Sequence, residues 1–425
     1  MSKRTTCFND AAHGGRSALS ADRGRDRRLP PGQPDPGINP AGRSSLRKAR
    51  IIARMDRDKP RRARPRRLAG VALWHAIVPA LTLLFAMSAP SSAAPEPAPR
   101  FFRIATAGTT GTYFVMGAEI ANAISKPPGA RDCARGGSCG VDGLVAVAQA
   151  TQGSIENALL LGSGQVEAAF IAADIARWAY SGRSPPAKSC RGVQTPEAGT
   201  ALLAKSGAIT NLRAIAALYP EAIHVVARAG AKIRTLADLK DKRVAMGEPG
   251  SGTLAEARLV LAAAGLSECR LKMQYPRLSE AAAQLERQSL DAFFVTGGYP
   301  VPAISEAASM VPVRLVPVIG AARAKLEREF GFTAQTIPGG TYPGLDAEIQ
   351  TVGTTALFVV SATAPDELVY DITKALWQDA TRRILDNGHP AGKLIRFENA
   401  LKGVTIPLHP GAARYYQEAG LKAQN

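Results

Sequence analysis

The chain has 425 residues, with 53 Lys and Arg against 35 Asp and Glu and a formal net charge of +18. The excess is concentrated in residues 1–68, which hold 19 of the basic and 6 of the acidic residues, a local +13 that leaves +5 for all the rest. Beyond that segment no basic stripe with interleaved aromatics remains, which argues against a nucleic-acid face, and the remaining length suits two lobes better than one small core.

Residues 1–68 read as a disordered basic presequence, because their Arg, Gly, Pro and Ser show no apolar periodicity. From Met55 the order changes to a basic segment, the uncharged run "LAGVALWHAIVPALTLLFAMS" and the small-residue "APSSAAPEPAP". Residues 69–93 are therefore expected to be a signal-peptide hydrophobic region, cleaved after Ala93. Met55 begins a complete signal by itself, so residues 1–54 read as an upstream over-extension that is not translated. A permanent membrane anchor is the competing reading, since about 20 apolar residues span a bilayer. Export places Cys133, Cys139, Cys190 and Cys269 in an oxidising compartment, with three possible pairings. Cys133 and Cys139 flank the glycine-rich "ARGG", so a local disulfide is the first choice. Their spacing fits no common zinc pattern, and no metal or cofactor is expected.

Short apolar runs then alternate with Ala-rich helical stretches. "FFRIATA", "VEAAFIAA", "LRAIAAL", "IHVVARA", "RVAMGE", "LDAFFVTGG", "VRLVPV" and "TTALFVV" read as buried strands, and helices are expected from Tyr113, Ser154, Thr235, Gly252, Ser279 and Asp366. This alternation predicts an α/β fold with sheets covered on both faces.

Three strand-to-helix junctions share a composition. "TAGTTGTYF" places Gly108, Thr109, Thr110, Gly111, Thr112 and Tyr113 at a helix start. "GSIEN" places Ser154 as a cap with Asn157 in the first turn, and "GSGT" places Ser251, Gly252 and Thr253 at another start. Free amides and the helix dipole at such ends suit a small carboxylate or other anion without any basic side chain. Rival chemistries fail on the same residues: no Lys follows the second glycine, Gly108, Gly111 and Gly117 have the wrong spacing for a dinucleotide, and neither serine of the two Gly-Ser-Gly stretches, Ser163 and Ser251, sits in Gly-x-Ser-x-Gly. His224, His389 and His409 are isolated, and His224, inside an apolar strand pattern, reads as a satisfied or hinge-facing side chain. No catalytic constellation is apparent, so an enzyme is not expected.

Five blocks, taken in order, carry a resemblance: "ATAGTTGTYFVMGAEIANAI", "GSIENALLLGSGQVEAAFIAADIA", the stretch from "AALYPEAIHVV" to "GSGTLAEARLVLAAAGL", "LDAFFVTGGYPVPAISEAA" and "IPGGTYPGL". Together they resemble the signature blocks of TAXI-family solute receptors, the extracytoplasmic binding subunits of one class of TRAP transporters. The resemblance implies a type II periplasmic-binding-protein fold, two α/β lobes joined by two hinge strands, with lobe 1 at 101–227 plus 353–425 and lobe 2 at 228–352. It implies a periplasmic monomer that captures a small organic acid or amino acid of the glutamate or 2-oxoglutarate class and delivers it to membrane permease subunits. Carried over by position, the ligand-binding set is Gly108, Thr109, Gly111, Thr112, Tyr113, Ser154, Asn157, Asp174, Ser251, Gly252, Thr253, Gly297, Gly298 and Tyr299. Thr110 stands where the family has a glycine and adds a hydroxyl. Asp174 either orients a ligand amine or caps a helix, and Tyr299 either walls the pocket or packs as core. An ABC-type receptor and a ligand sensor for a signalling partner are the alternatives. Thr112→Val with Tyr113→Phe is expected to weaken binding and leave the apo melting curve nearly unchanged.

Overall fold

The computed structural model describes residues 98–185 and 199–422. The presequence, the hydrophobic segment at 69–93 and Cys190 lie outside them. In chain order the strands are β1 (Arg100–Ala105), β2 (Ser125–Lys126), β3 (Val141–Asp142), β4 (Leu144–Gln149), β5 (Ala168–Ala172), β6 (Leu212–Arg228), β7 (Arg243–Ala245), β8 (Lys272–Gln274), β9 (Ala292–Gly297), β10 (Val313–Leu315), β11 (Thr333–Ile337) and β12 (Ile349–Ser361). The helices are α1 (Thr112–Ile124), α2 (Ser154–Gly162), α3 (Ala173–Ser181), α4 (Thr200–Ser206), α5 (Gly252–Ala263), α6 (Leu278–Glu286), α7 (Pro302–Met310), α8 (Gly320–Phe330), α9 (Asp366–Trp377), α10 (Asp379–Asn387) and α11 (Pro410–Glu418). Among the described residues no helix is long and apolar enough to cross a membrane.

The main sheet runs β4-β1-β5-β12-β6-β9-β7-β8, with β10 added to β6 and β11 to β12. β1 is parallel to β4 and β5 at one end, and β7 is parallel to β8 and β9 at the other. Between these parallel halves stand β6 and β12, antiparallel to each other and to both sets of neighbours. β6 pairs with β12 through Leu212–Ala222 and with β9 through Ala222–Ala227, so Ala222 is where it passes from one half to the other.

"LRAIAAL" and "IHVVARA" are thus one strand of 17 residues. Pro220, which divides them in the sequence, pairs beside a register shift between Thr355 and Leu357 on β12, where the missing N–H is tolerated. The expected helix at Thr235 is only a 3-10 turn, Leu236–Leu239, closed by a Thr235–Asp238 capping box. One core cluster holds Phe102, Ile104, Met116, Phe170 and Phe358 in the first half and another Phe293, Val295, Ile304 and Leu315 in the second, while a third, with Ile171, Val225, Leu254 and Phe294, runs through both. The first core brings α1 close to the sheet at Gly117, where a Cβ would lie 2.4 Å from the Thr106 methyl. Cys133 and Cys139 form a disulfide across a 3-10 turn, and Cys269 is disulfide-bonded as well.

Candidate functional site

The carboxyl ends of β1 and β5 and the starts of α1, α2 and α5 converge on a cavity of about 80 Å³. Its walls come from both halves of the sheet: Gly108, Gly111, Thr112, Tyr113, Gln152 and Ser154 from the first, Ser251, Gly252, Thr253, Glu256, Thr296 and Gly297 from the second, and Glu221 from β6. Thr109, Thr110, Asn157, Asp174, Gly298 and Tyr299 fall outside this lining. Thr109 is exposed, and Tyr299 packs half-buried against the second core.

α1 starts at Thr112 with Gly111 as its N-cap. The Thr112 hydroxyl donates to the Gly298 carbonyl at 2.5 Å, a bond that crosses the cleft. Tyr113, buried edge-on against Phe170 at 5.7 Å, donates to Glu221 Oε2 at 2.7 Å. Ser154 does not cap α2; Gly153 does, with φ +119, a conformation that favours glycine. The Ser154 hydroxyl instead accepts the Ala172 N–H at 3.1 Å. Asn157 ties strand ends together, donating to Thr106 O at 2.6 Å and Phe170 O at 2.7 Å and accepting from Thr151.

On the facing wall Ser251 caps α5, accepting the Leu254 N–H at 3.1 Å. Thr253 Oγ1 accepts the Thr296 N–H, and the Thr296 hydroxyl donates to Glu256 Oε2. The turn that contains Ser251 docks on the other half. Glu156 N–H donates to Gly250 O at 3.0 Å, and Gly250 N–H donates to Gln152 Oε1 at 2.8 Å. Part of the α2 N-terminus is therefore already engaged by protein, and its amides are less available to a ligand than the junction composition suggests.

The turn after β9 is held from three directions. Thr112 takes Gly298 O, His389 Nε2–H donates to Pro300 O at 2.8 Å, and Val301 N–H donates to the Tyr342 hydroxyl at 3.0 Å. His389 Nδ1 accepts the Ala391 N–H, which fixes the tautomer. Tyr342 in turn reaches His224 Nε2 at 2.9 Å, while Nδ1 of that histidine is 2.9 Å from Ala222 O. His224 is thus satisfied at the strand passage, and burial lowers it to about 4, so it is neutral.

The sequence points to Asp174 but not to two other buried carboxylates, Glu221 and Glu256. Glu221 is 2% exposed and Glu256 0%. Burial pushes Glu221 up to about 8, against the Tyr113 hydrogen bond and with the help of Asp174. Burial likewise drives Glu256 well above the usual carboxylate range, reinforced by Asp174 and Glu221. Asp174, in the first turn of α3, has no donor in hydrogen-bond geometry on either oxygen among the described residues; burial raises it to about 6, with the Ile175 N–H and Thr354 near enough to temper the shift. Glu248, at the rim, is raised to about 7 by burial despite Arg277. Among the described residues no group of three or more His, Cys, Asp or Glu is placed to hold a metal.

Residues 104–420 match the model of the NMT1-like family, and the chain belongs to that family. Its fold is α/β, two halves of parallel strands joined by the crossing strands β6 and β12. Among solved structures it is similar to the alkanesulfonate-binding protein SsuA of Xanthomonas axonopodis pv. citri bound to MOPS, at 15% identity over 78% of this chain and 82% of that one, TM-score 0.39. Another is the periplasmic aliphatic sulphonate binding protein SsuA of Escherichia coli, at 13% identity over 75% and 84%, TM-score 0.35. A third is an ancestral arginine-binding protein bound to arginine, at 15% identity over 68% and 97%, TM-score 0.38.

Proposed function

We propose that this protein is an exported, periplasmic solute receptor of the TAXI class, which captures a small organic acid or amino acid and hands it to a TRAP permease, acting as a monomer without catalysis or cofactor. The observation that carries this reading is a cavity walled by both halves of the sheet, with the two crossing strands behind it. A solute bound there touches both lobes at once, so its binding free energy favours the closed arrangement that a permease can recognise. The five collinear sequence blocks favour the TAXI class, and hydroxyls and helix starts favour a carboxylate of the glutamate or 2-oxoglutarate kind.

Titration calorimetry and thermal shift of the purified chain, with amino acids and oxo-acids, test the binding reading. One class is expected to raise the melting temperature by several degrees at concentrations of about 100 times its Kd. A flat response to every organic acid and amino acid overturns the receptor reading. Deleting the gene distinguishes the partner: loss of uptake through a many-span permease without an ATPase supports TRAP, uptake dependent on an ATPase supports the ABC alternative, and normal uptake supports a sensor.

A further inference from the structure

Among the described residues the cavity lining contains Glu221, Glu248 and Glu256 and not one Lys, Arg or His. Glu221 and Glu256 face it from different walls, one on the passage strand β6 and the other one turn into α5. Glu256 is fully buried, its Oε2 accepts the Thr296 hydroxyl, and its Oε1 has no partner among the described residues. That free oxygen is 3.5 Å from the point where a Cβ on Gly252 would stand, and the Ser154 hydroxyl is 3.3 Å from the same point. The unpartnered oxygen therefore opens onto the place where the α2 and α5 starts meet.

Helix starts can hold a carboxylate, but they do nothing for two buried glutamates. Burial resists the ionisation of both, and an oxo-acid or plain dicarboxylate brings no positive charge to offset it. An ammonium group supplies positive charge and three donors. We propose that the solute carries a protonated amine, received by Glu256 Oε1 and Glu221, while its carboxylate faces the helix starts: an amino acid and not its deaminated counterpart. The proposal rests on the receptor reading above. The mutual influence of Glu221, Glu256 and Asp174 fits it, since each raises or is raised by another carboxylate of the group.

The test is calorimetry on the purified chain with each amino acid beside its oxo-acid, L-glutamate with 2-oxoglutarate among them, in sodium and in potassium buffer. The bound amino acid is expected to exceed its oxo-acid by about 100-fold in affinity. Glu256→Gln, nearly isosteric, is expected to lower amino-acid affinity by about 30-fold or more and leave the oxo-acid unchanged or tighter. This ligand-side comparison needs no variant, so a Glu256→Gln chain that fails to fold does not blunt it. Equal or tighter binding of the oxo-acid overturns the amine proposal and leaves the receptor reading standing; so does oxo-acid binding that appears only with one of the two cations. Silence of the whole panel overturns the receptor reading itself.

Discussion

Tyr113 and Thr112 do more than line the cavity. The Tyr113 hydroxyl satisfies a buried carboxylate and the Thr112 hydroxyl bridges the cleft, which corrects the expectation that removing both leaves the apo protein unaltered. Tyr113→Phe is expected to destabilise the apo chain by about 1–3 kcal/mol, because Glu221 keeps its burial and loses its donor; urea denaturation reads this, and an unchanged midpoint would refute it. The same carboxylates set a pH dependence. Glu221 is raised from an ordinary 4.5 to about 8, Asp174 from 3.8 to about 6, and Glu256 shifts in the same direction. Groups raised on folding stabilise below their unfolded values, and that contribution is lost as pH rises through the folded ones. The apo melting temperature is therefore expected to fall between pH 5 and about pH 8, and Glu221→Gln should flatten the curve. A melting temperature that rises over this window contradicts the assignment.

At the scale of elements, the start of α5 is the most constrained part of the site. A methyl on Gly252 would press on Ser154 at 3.3 Å and approach Glu256 Oε1 at 3.5 Å, so Gly252→Ala should reduce solute affinity by about 10-fold while the helix itself tolerates alanine. The disulfide turn at 133–139 behaves differently. Closing so short a loop stabilises by only about 2 kcal/mol, and its residues are outside the cavity lining; Cys133→Ser with Cys139→Ser should lower stability by that amount and leave affinity unchanged. Much of this architecture was legible in sequence, because a strand that ends in glycine, threonine or serine before an amphipathic run announces a helix start by local chemistry alone. α1, α2 and α5 were read that way. Glu221 and Glu256 were not, since burial of a single polar residue depends on chain segments far away. A signal existed for Glu256, the lone acid on a helix whose buried residues lie all round its axis, in "GTLAEARLVL". Glu221, next to Pro220, lies between two runs that read as separate strands, and only the register of β6 against β12 and β9 shows that one strand continues through it.

For the whole molecule, the two halves are joined by more than their shared strands. Thr112 to Gly298, His389 to Pro300, Ala303 N–H to Thr110 O, and Gly250 with Gln152 and Glu156 all bridge the cleft. Thr112→Val with His389→Ala is expected to widen the molecule in small-angle scattering and speed solute release by about 10-fold; an unchanged radius of gyration would show that these bonds do not hold the closed form. Every one of these bridges is a direct hydrogen bond between protein groups. Escape of whatever sits inside therefore has to wait for the bridges to part, and that waiting time belongs to the protein. On the proposed receptor reading, two solutes held with quite different strengths would share this slow step, so the tempo of delivery is written into the backbone of two turns more than into the chemistry of the cargo.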